Sequence, residues 1–479
     1  MTATFQIISP VDNSVYAERP LADDKEVLLT LMRARAAQMK WREVPVAERC
    51  AIGTRFTDAM VADTPRVSEL LAWQMGRPIR YGPGEVRGFN ERARYMIEVA
   101  PATLADIDVG PKEGFTRFIR REPLGVVLNL PAWNFPYMTA LNAVLPAVLA
   151  GNTVVMKHSS QTALVAEHFA DCFARAGLPK DVFQAINMSH EATDRAIRTG
   201  LVDQVGFTGS TAGGRAIMAA VAGAPNFPAT CLELGGKDPA YVRPDADLAF
   251  AAENVVDAGY FNSGQSCCAI ERIYVHADVY DRFVEAAVAV INGYQLGSPT
   301  EESTTLGPVV RTRAADFVRG QVAKAVAKGA KPLIDEKRFA AAKEGSPYLA
   351  PQLLANVDHS MEIMTEETFG PAHGIMKVKS DAEAIQLMND SPFGLTASVW
   401  TADADAARAI GDKIQSGTVY MNRADYLDPA LAWVGVKESG RGVTLSRVGY
   451  EHLTRPKSFH LRVETPKPVG MPEPEESPQ

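Results

Sequence analysis

The sequence predicts an α/β protein with two parallel-sheet blocks, and two features of its texture carry that expectation. From about residue 123, short β-branched runs alternate with helical stretches, and the alternation resumes after residue 270. The length of 479 residues fits it, since an ordinary domain takes about 150.

Taken in order, Lys25 to Lys40 and Ala47 to Ala62 carry apolar residues at helical spacing, so the first hundred residues read as mostly helical. Gly125–Leu130 reads as a buried strand, 139–149 as a helix, 152–156 as a strand, 162–176 as a helix stopped by Gly177 and Pro179, and 182–186 as a strand. In the second block, 271–276 is a strand and 281–291 a helix. Segments 112–123 (KEGFTRFIRREP) and 453–463 (LTRPKSFHLRV) read as exposed basic strands, which need a partner edge. The Pro- and Glu-rich residues after 464 read as a flexible tail.

Composition excludes several function classes. Lys+Arg is 49 and Asp+Glu is 57, a net charge of −8, which lacks the footprint of a nucleic-acid binder. The longest apolar stretch, 140–150, is broken by Asn142 and Pro146 and is too short to span a membrane. The first residues have neither a basic nor an apolar leader region, so no signal peptide is expected. Five cysteines without CxxC, and histidines without HExxH spacing, argue against disulfides and a metal site and for a reducing, cytoplasmic setting.

Four segments carry candidate chemistry. FNSGQSCC, 261–268, makes a tight turn before Cys267 and Cys268: either two buried cysteines at a helix start, or a nucleophilic thiol near a helix N-terminus. ELGGKDP, 233–239, puts Glu233 beside two glycines, as a strand-end carboxylate or a general base. PAWNFP, 131–136, follows a buried strand, where α/β folds bind ligands, and Asn134 either donates to an oxyanion or caps its own turn. GFTGS, 206–210, runs from a strand into a helix, where backbone N–H groups can meet a pyrophosphate.

With GNTVVMKHSSQTA, EETFGP, PFGLTASVWT, SGTVYMN and KESGRG, these segments resemble the aldehyde dehydrogenase superfamily from about residue 10 to residue 463, in the family's order and at about its spacing. The resemblance implies a Rossmann-like NAD(P)-binding domain (1–111 and 124–233), a second α/β catalytic domain (234–445), a small β oligomerisation element (112–123 and 446–466) and a tail (467–479). It implies Cys267 as nucleophile, Glu233 as general base and Asn134 as oxyanion-hole amide, with Cys268 a packing neighbour. Lys157 would bind cofactor ribose, Gly209 and Ser210 the pyrophosphate, and Glu367 and Phe369 the nicotinamide ribose and ring. Self-association as a homodimer or homotetramer is implied too.

The cofactor is thus NAD or NADP, with a slight lean to NADP, because many NAD-preferring members carry Glu where this chain has Ser160. Phe135, Met138, Asn142, Tyr426 and Trp433, with Leu427 and Leu431, fall where the family lines its substrate tunnel, and the mix suggests an apolar or aromatic aldehyde. A succinate-semialdehyde-type substrate is the alternative. Relatives of that type resemble one another in carrying Arg at the position of Asn142, and Arg423 could compensate. A coenzyme A-acylating enzyme, a cofactor-free thiol esterase and a non-catalytic member are rival readings. The retained Glu233, the retained GFTGS and EETFGP segments, and the retained Cys267 with Glu233 speak against each in turn.

The Ser160 reading is testable. Ser160→Glu should place a carboxylate against a 2′-phosphate and shift the NAD/NADP ratio of kcat/KM toward NAD by about 5- to 150-fold, the equivalent of roughly 1–3 kcal/mol. An unchanged ratio would mean that Ser160 does not face the 2′ position.

Overall fold

The computed structural model describes residues 3–464. The predicted tail, 467–479, lies outside the described residues.

Two sheets organise the chain. The first runs in the order Gly440–Arg441, Ala229–Glu233, Gln204–Thr208, Val126–Leu130, Thr153–Met156, Phe183–Ala185, parallel except at the Gly440–Arg441 edge. Its strands are apolar on both faces because helices cover both. Val127 packs with helices Val46–Ala62, Gly82–Thr103 and Pro136–Leu149, while Val126, Leu128 and Leu130 face the helix Asp24–Trp41. The second sheet runs Lys331–Pro332, Gln352–Ala355, Ala372–Val378, Ile270–His276, Asp238–Val242, Thr396–Trp400, Thr418–Met421 and is parallel but for its first edge strand. Alternation again serves two cores, with Ala240 and Val242 on one side and Tyr241 on the other. No helix of the described residues is long and apolar enough to cross a membrane.

Strands Phe115–Pro123 and Thr454–Arg462 pair antiparallel from Thr454↔Pro123 to Arg462↔Phe115. Phe118 stacks on Phe459 at 4.5 Å, and the Arg120 guanidinium lies 4.9 Å from the Phe459 ring, so the basic side chains are interleaved with aromatic partners.

The structure departs from the sequence expectations in three places. A hairpin, Thr4–Ile8 with Val15–Pro20, precedes the helices and is anchored by Tyr16 stacking on Trp73 at 5.6 Å. Gly440–Arg441, in the segment read as catalytic domain, joins the first sheet beside Leu232 and Glu233. Residues 446–453, read with the oligomerisation element, instead pack on the first core: Tyr450 is fully buried and donates to the Met96 carbonyl at 2.7 Å.

The first core depends on an aromatic cluster. Phe56 is fully buried, stacked on Phe173 at 3.7 Å and within 5.9 Å of Phe89 and Phe169. Phe56→Ala should therefore destabilise the fold by about 3–5 kcal/mol in urea unfolding, with little change in m-value.

Candidate active site

Cys267 stands at the end of a backbone loop held open by its own neighbours. Asn262, Ser263 and Gly264 all adopt positive φ, and a Cβ on Gly264 would lie 2.4 Å from the Gly370 carbonyl. The Asn262 amide donates to the carbonyls of Asn134 (3.1 Å) and Gln265 (3.2 Å), and the Gln265 amide oxygen accepts from the Val310 N–H at 2.7 Å. The chain then enters strand Ile270–His276 rather than a helix, so neither the helix-start reading of the cysteines nor a following helix N-terminus applies. Cys267 is partly exposed, whereas Cys268 is 2% exposed and 3.0 Å from the Asp425 carboxylate. Its hydrogen bond with Cys267, its burial and the Asp425 charge push the Cys268 thiol well above the usual range, which keeps it protonated and unreactive.

Glu233 ends strand Ala229–Glu233 and lines a cavity of about 160 Å³ together with Cys267, Asn134, Glu367 and Phe369. Burial raises its pKa, against hydrogen bonds from Thr444 and Thr208 (3.2 Å) and the charge of Arg92. A raised carboxylate pKa suits a group that exchanges protons near neutrality. Gly236 tolerates no side chain, because a Cβ there would sit 2.3 Å from the Cys267 carbonyl.

The backbone of Asn134 is gripped by Arg77 (2.6 Å) as well as Asn262, while its side-chain oxygen, buried, finds no partner among the described residues. Arg77 in turn pairs with Glu85, which accepts from the Tyr137 N–H at 2.9 Å and so caps helix Pro136–Leu149.

A second cavity, about 370 Å³, opens at the carboxyl ends of the first sheet's strands, lined by Lys157, Ser160, Gly209 and Ser210. The Ser210 hydroxyl caps helix Thr211–Ala222 through the Gly213 N–H (3.2 Å), leaving that helix's N-terminus facing the cavity. This donor set suits a dinucleotide with its pyrophosphate at a helix start. The neighbouring His158 is turned inward on Pro136 and Thr162, and burial drops its pKa to about 4. The thiol-bearing cavity shares Ala132, Trp133, Thr208, Gly209 and Ser210 with this one, and Glu367 and Phe369 line it, Glu367 accepting from the Gly236 N–H at 3.0 Å.

A third cavity, about 600 Å³, contains Phe135, Met138, Tyr426 and Leu427 of the expected substrate lining. Three expected residues lie elsewhere. Trp433 is 4% exposed and packs beneath the cysteines with Leu395 and Leu445. Asn142 is 3% exposed and borders the pocket behind Glu233. Leu431 points to solvent. The wall is also more charged than an apolar tunnel, since Arg77, Glu85, Glu91, Arg92, Asp257, Arg423 and Asp425 line it. Sequence reasoning missed Arg77, Glu85 and Arg92. The last two lie seven residues apart on helix Gly82–Thr103, on the stripe formed by Val86, Phe89, Ala93 and Met96, and that pattern was the available signal.

Comparison with known proteins agrees over the whole chain. The pattern of the "Aldehyde dehydrogenase family" matches residues 1–459. A succinate-semialdehyde dehydrogenase [NADP(+)] from Mycobacterium avium is 33% identical over 458 residues, covering 95% of this chain and 96% of its own. Among solved structures, the aldehyde dehydrogenase KauB from Pseudomonas aeruginosa superposes with a TM-score of 0.91 at 28% identity, covering 96% of this chain and 93% of its own. A betaine aldehyde dehydrogenase from Staphylococcus aureus, in complex with NAD+, gives 0.90 at 27% identity, covering 97% and 95%.

The exposure of Cys267 and the buried, protonated thiol of Cys268 predict their variants. Cys267→Ala should abolish aldehyde-dependent reduction of the cofactor, whereas Cys268→Ala should retain most of it. The reverse pattern in steady-state assays would reassign the thiol.

Proposed function

The chain belongs to the aldehyde dehydrogenase family, with that family's fold and its dependence on NAD or NADP, and on that premise we propose how it works on its substrate. It oxidises an aldehyde to the carboxylic acid with hydrolytic release. The observation that carries this is the shared cavity in which Cys267, Glu233 and Asn134 meet Glu367 and Phe369.

The Cys267 thiolate attacks the aldehyde carbon, forming a C–S bond and an oxyanion. The Asn134 amide and the Cys267 backbone N–H donate to that oxygen. NAD(P)+, when bound, supplies the hydride acceptor. Loss of hydride leaves a thioester on Cys267, so one difficult step becomes two. Glu233 takes a proton from water, the hydroxide attacks the thioester, and the acid leaves as the C–S bond breaks. Lys157 and Ser160 would orient the adenosine ribose, Gly209 and Ser210 would receive the pyrophosphate, and Glu367 and Phe369 would hold the nicotinamide end. The Ser160 side chain carries no charge to repel a 2′-phosphate, and relatives named for NADP(+) favour the same choice.

Two substrate classes fit parts of the third cavity. Phe135, Met138 and Leu427 favour an apolar or aromatic aldehyde. The arginines among them, and the mycobacterial relatives named as succinate-semialdehyde dehydrogenases, favour an aldehyde with an acidic group, and we adopt this reading. Among the described residues the outer edge of Thr454–Arg462 pairs with no further strand, which supports self-association as a homodimer or homotetramer, and five cysteines without a disulfide support a reducing, cytoplasmic setting.

Glu233→Gln tests the hydrolytic step. Turnover should fall by about 10²- to 10⁴-fold. A burst of reduced cofactor, up to a single equivalent per site, should remain, with the acyl group visible by mass on the Cys267 peptide. Wild-type turnover that requires coenzyme A, with Glu233→Gln indistinguishable from it, would contradict the proposal and favour acyl transfer.

A further inference from the structure

Arg92 is a buried cation that forms no ion pair with the described residues. It is 8% exposed, on helix Gly82–Thr103, among Val86, Phe89, Ala93 and Met96. Its one hydrogen bond to the described residues runs from Nη1 to the Asn142 side-chain oxygen, at 3.2 Å, and no carboxylate oxygen among them lies within 4.0 Å. The anions around it are engaged with other groups. Glu233 accepts from Thr208 and Thr444, Glu91 from Tyr426 at 2.6 Å, and Asp425 from Ser266 and Cys268. Arg77, the cavity's other buried guanidinium, has Glu85 as its own partner.

A guanidinium stays charged at neutral pH, and its planar fork matches a carboxylate with two parallel hydrogen bonds. Arg92 lines the third cavity beside Phe135 and Met138, and Phe135 directly follows Asn134, which lines the thiol-bearing cavity with Cys267. Asn142, by holding one Nη group, fixes which way the fork faces.

We propose that Arg92 is the specificity-determining residue of this enzyme, binding a carboxylate that the aldehyde substrate carries a short chain away from its carbonyl carbon. The proposal rests on the aldehyde-oxidising site argued above. It moves the substrate-reading arginine from the helix Pro136–Leu149, where Asn142 stands, to the neighbouring helix Gly82–Thr103.

The test uses succinate semialdehyde and butanal, aldehydes of equal chain length that differ in the carboxylate. Wild-type kcat/KM should favour the anion. In Arg92→Gln that preference should fall by about 10- to 150-fold, the effect of a charge-assisted hydrogen bond lost from a binding site. Competitive inhibition by succinate, which cannot react, should weaken in parallel. Asn142→Asp, nearly isosteric, supplies Arg92 with an internal partner and should lower the same preference, so the proposal stays testable if Arg92→Gln is not recovered folded. An anion-to-neutral ratio that stays the same in both variants, with both aldehydes slowed together, would overturn the assignment and leave Arg92 as a structural neighbour of Glu233. A wild type that prefers butanal would overturn it as well, while one that oxidises neither aldehyde would count against the function proposed above.

Discussion

The Lys237 ammonium and the Glu271 carboxylate meet at 2.6 Å, both fully buried, and two active-site segments depend on them. A buried ion pair repays its desolvation only when the remaining donors and acceptors are satisfied. Here they are: Lys237 also donates to Thr368 at 2.9 Å, while Glu271 accepts from the backbone N–H groups of Thr368 and Phe369, each at 2.8 Å. One carboxylate thereby clamps the GGK segment to the loop that carries Glu367 and holds Phe369 at φ +49°. The Arg272 guanidinium adds a bond to the Lys237 carbonyl at 2.7 Å, fixing the same segment to the next strand position.

A second polar anchor serves the other sheet. Arg77, paired with Glu85, ties the Asn134 backbone to Asn262 in the cysteine loop, so residues from the ends of two different sheets converge. Removing either partner of such a pair would strand a buried charge at a cost of about 3–5 kcal/mol. The site is therefore rigid because its supports are buried, and the segments between them need glycine where backbones touch, as at Gly236 against Cys267.

The parallel strands were legible because each is short, apolar on both faces and followed by a helix, as in Val126–Leu130 running into Pro136–Leu149. The hairpin Thr4–Ile8 with Val15–Pro20 was not, since its half-exposed polar strands lack a buried run. The FNSGQSC and ELGGK segments announced the site because close backbone approach restricts their residue types. Arg77, Glu85 and Arg92 did not, because a charge on a helix normally marks its solvated face, and only the fold shows that this face is covered. Trp433 and Asn142 were misplaced for a related reason: position along the chain fixes which segment borders a cavity, while side-chain direction decides whether the residue enters it.

The most direct test of this account is a crystal structure of the Cys267→Ala variant with NADP+ and succinate semialdehyde bound. The account predicts the 2′-phosphate beside Ser160, the pyrophosphate at Gly209 and Ser210, and the nicotinamide between Glu367 and the vacated thiol position. It also predicts the aldehyde carbon beside that position, about 3–3.5 Å from the nicotinamide ring as expected of a near-attack geometry, with the substrate carboxylate on Arg92. A cofactor whose nicotinamide lies outside that cavity, or an aldehyde bound away from Ala at position 267, would contradict it.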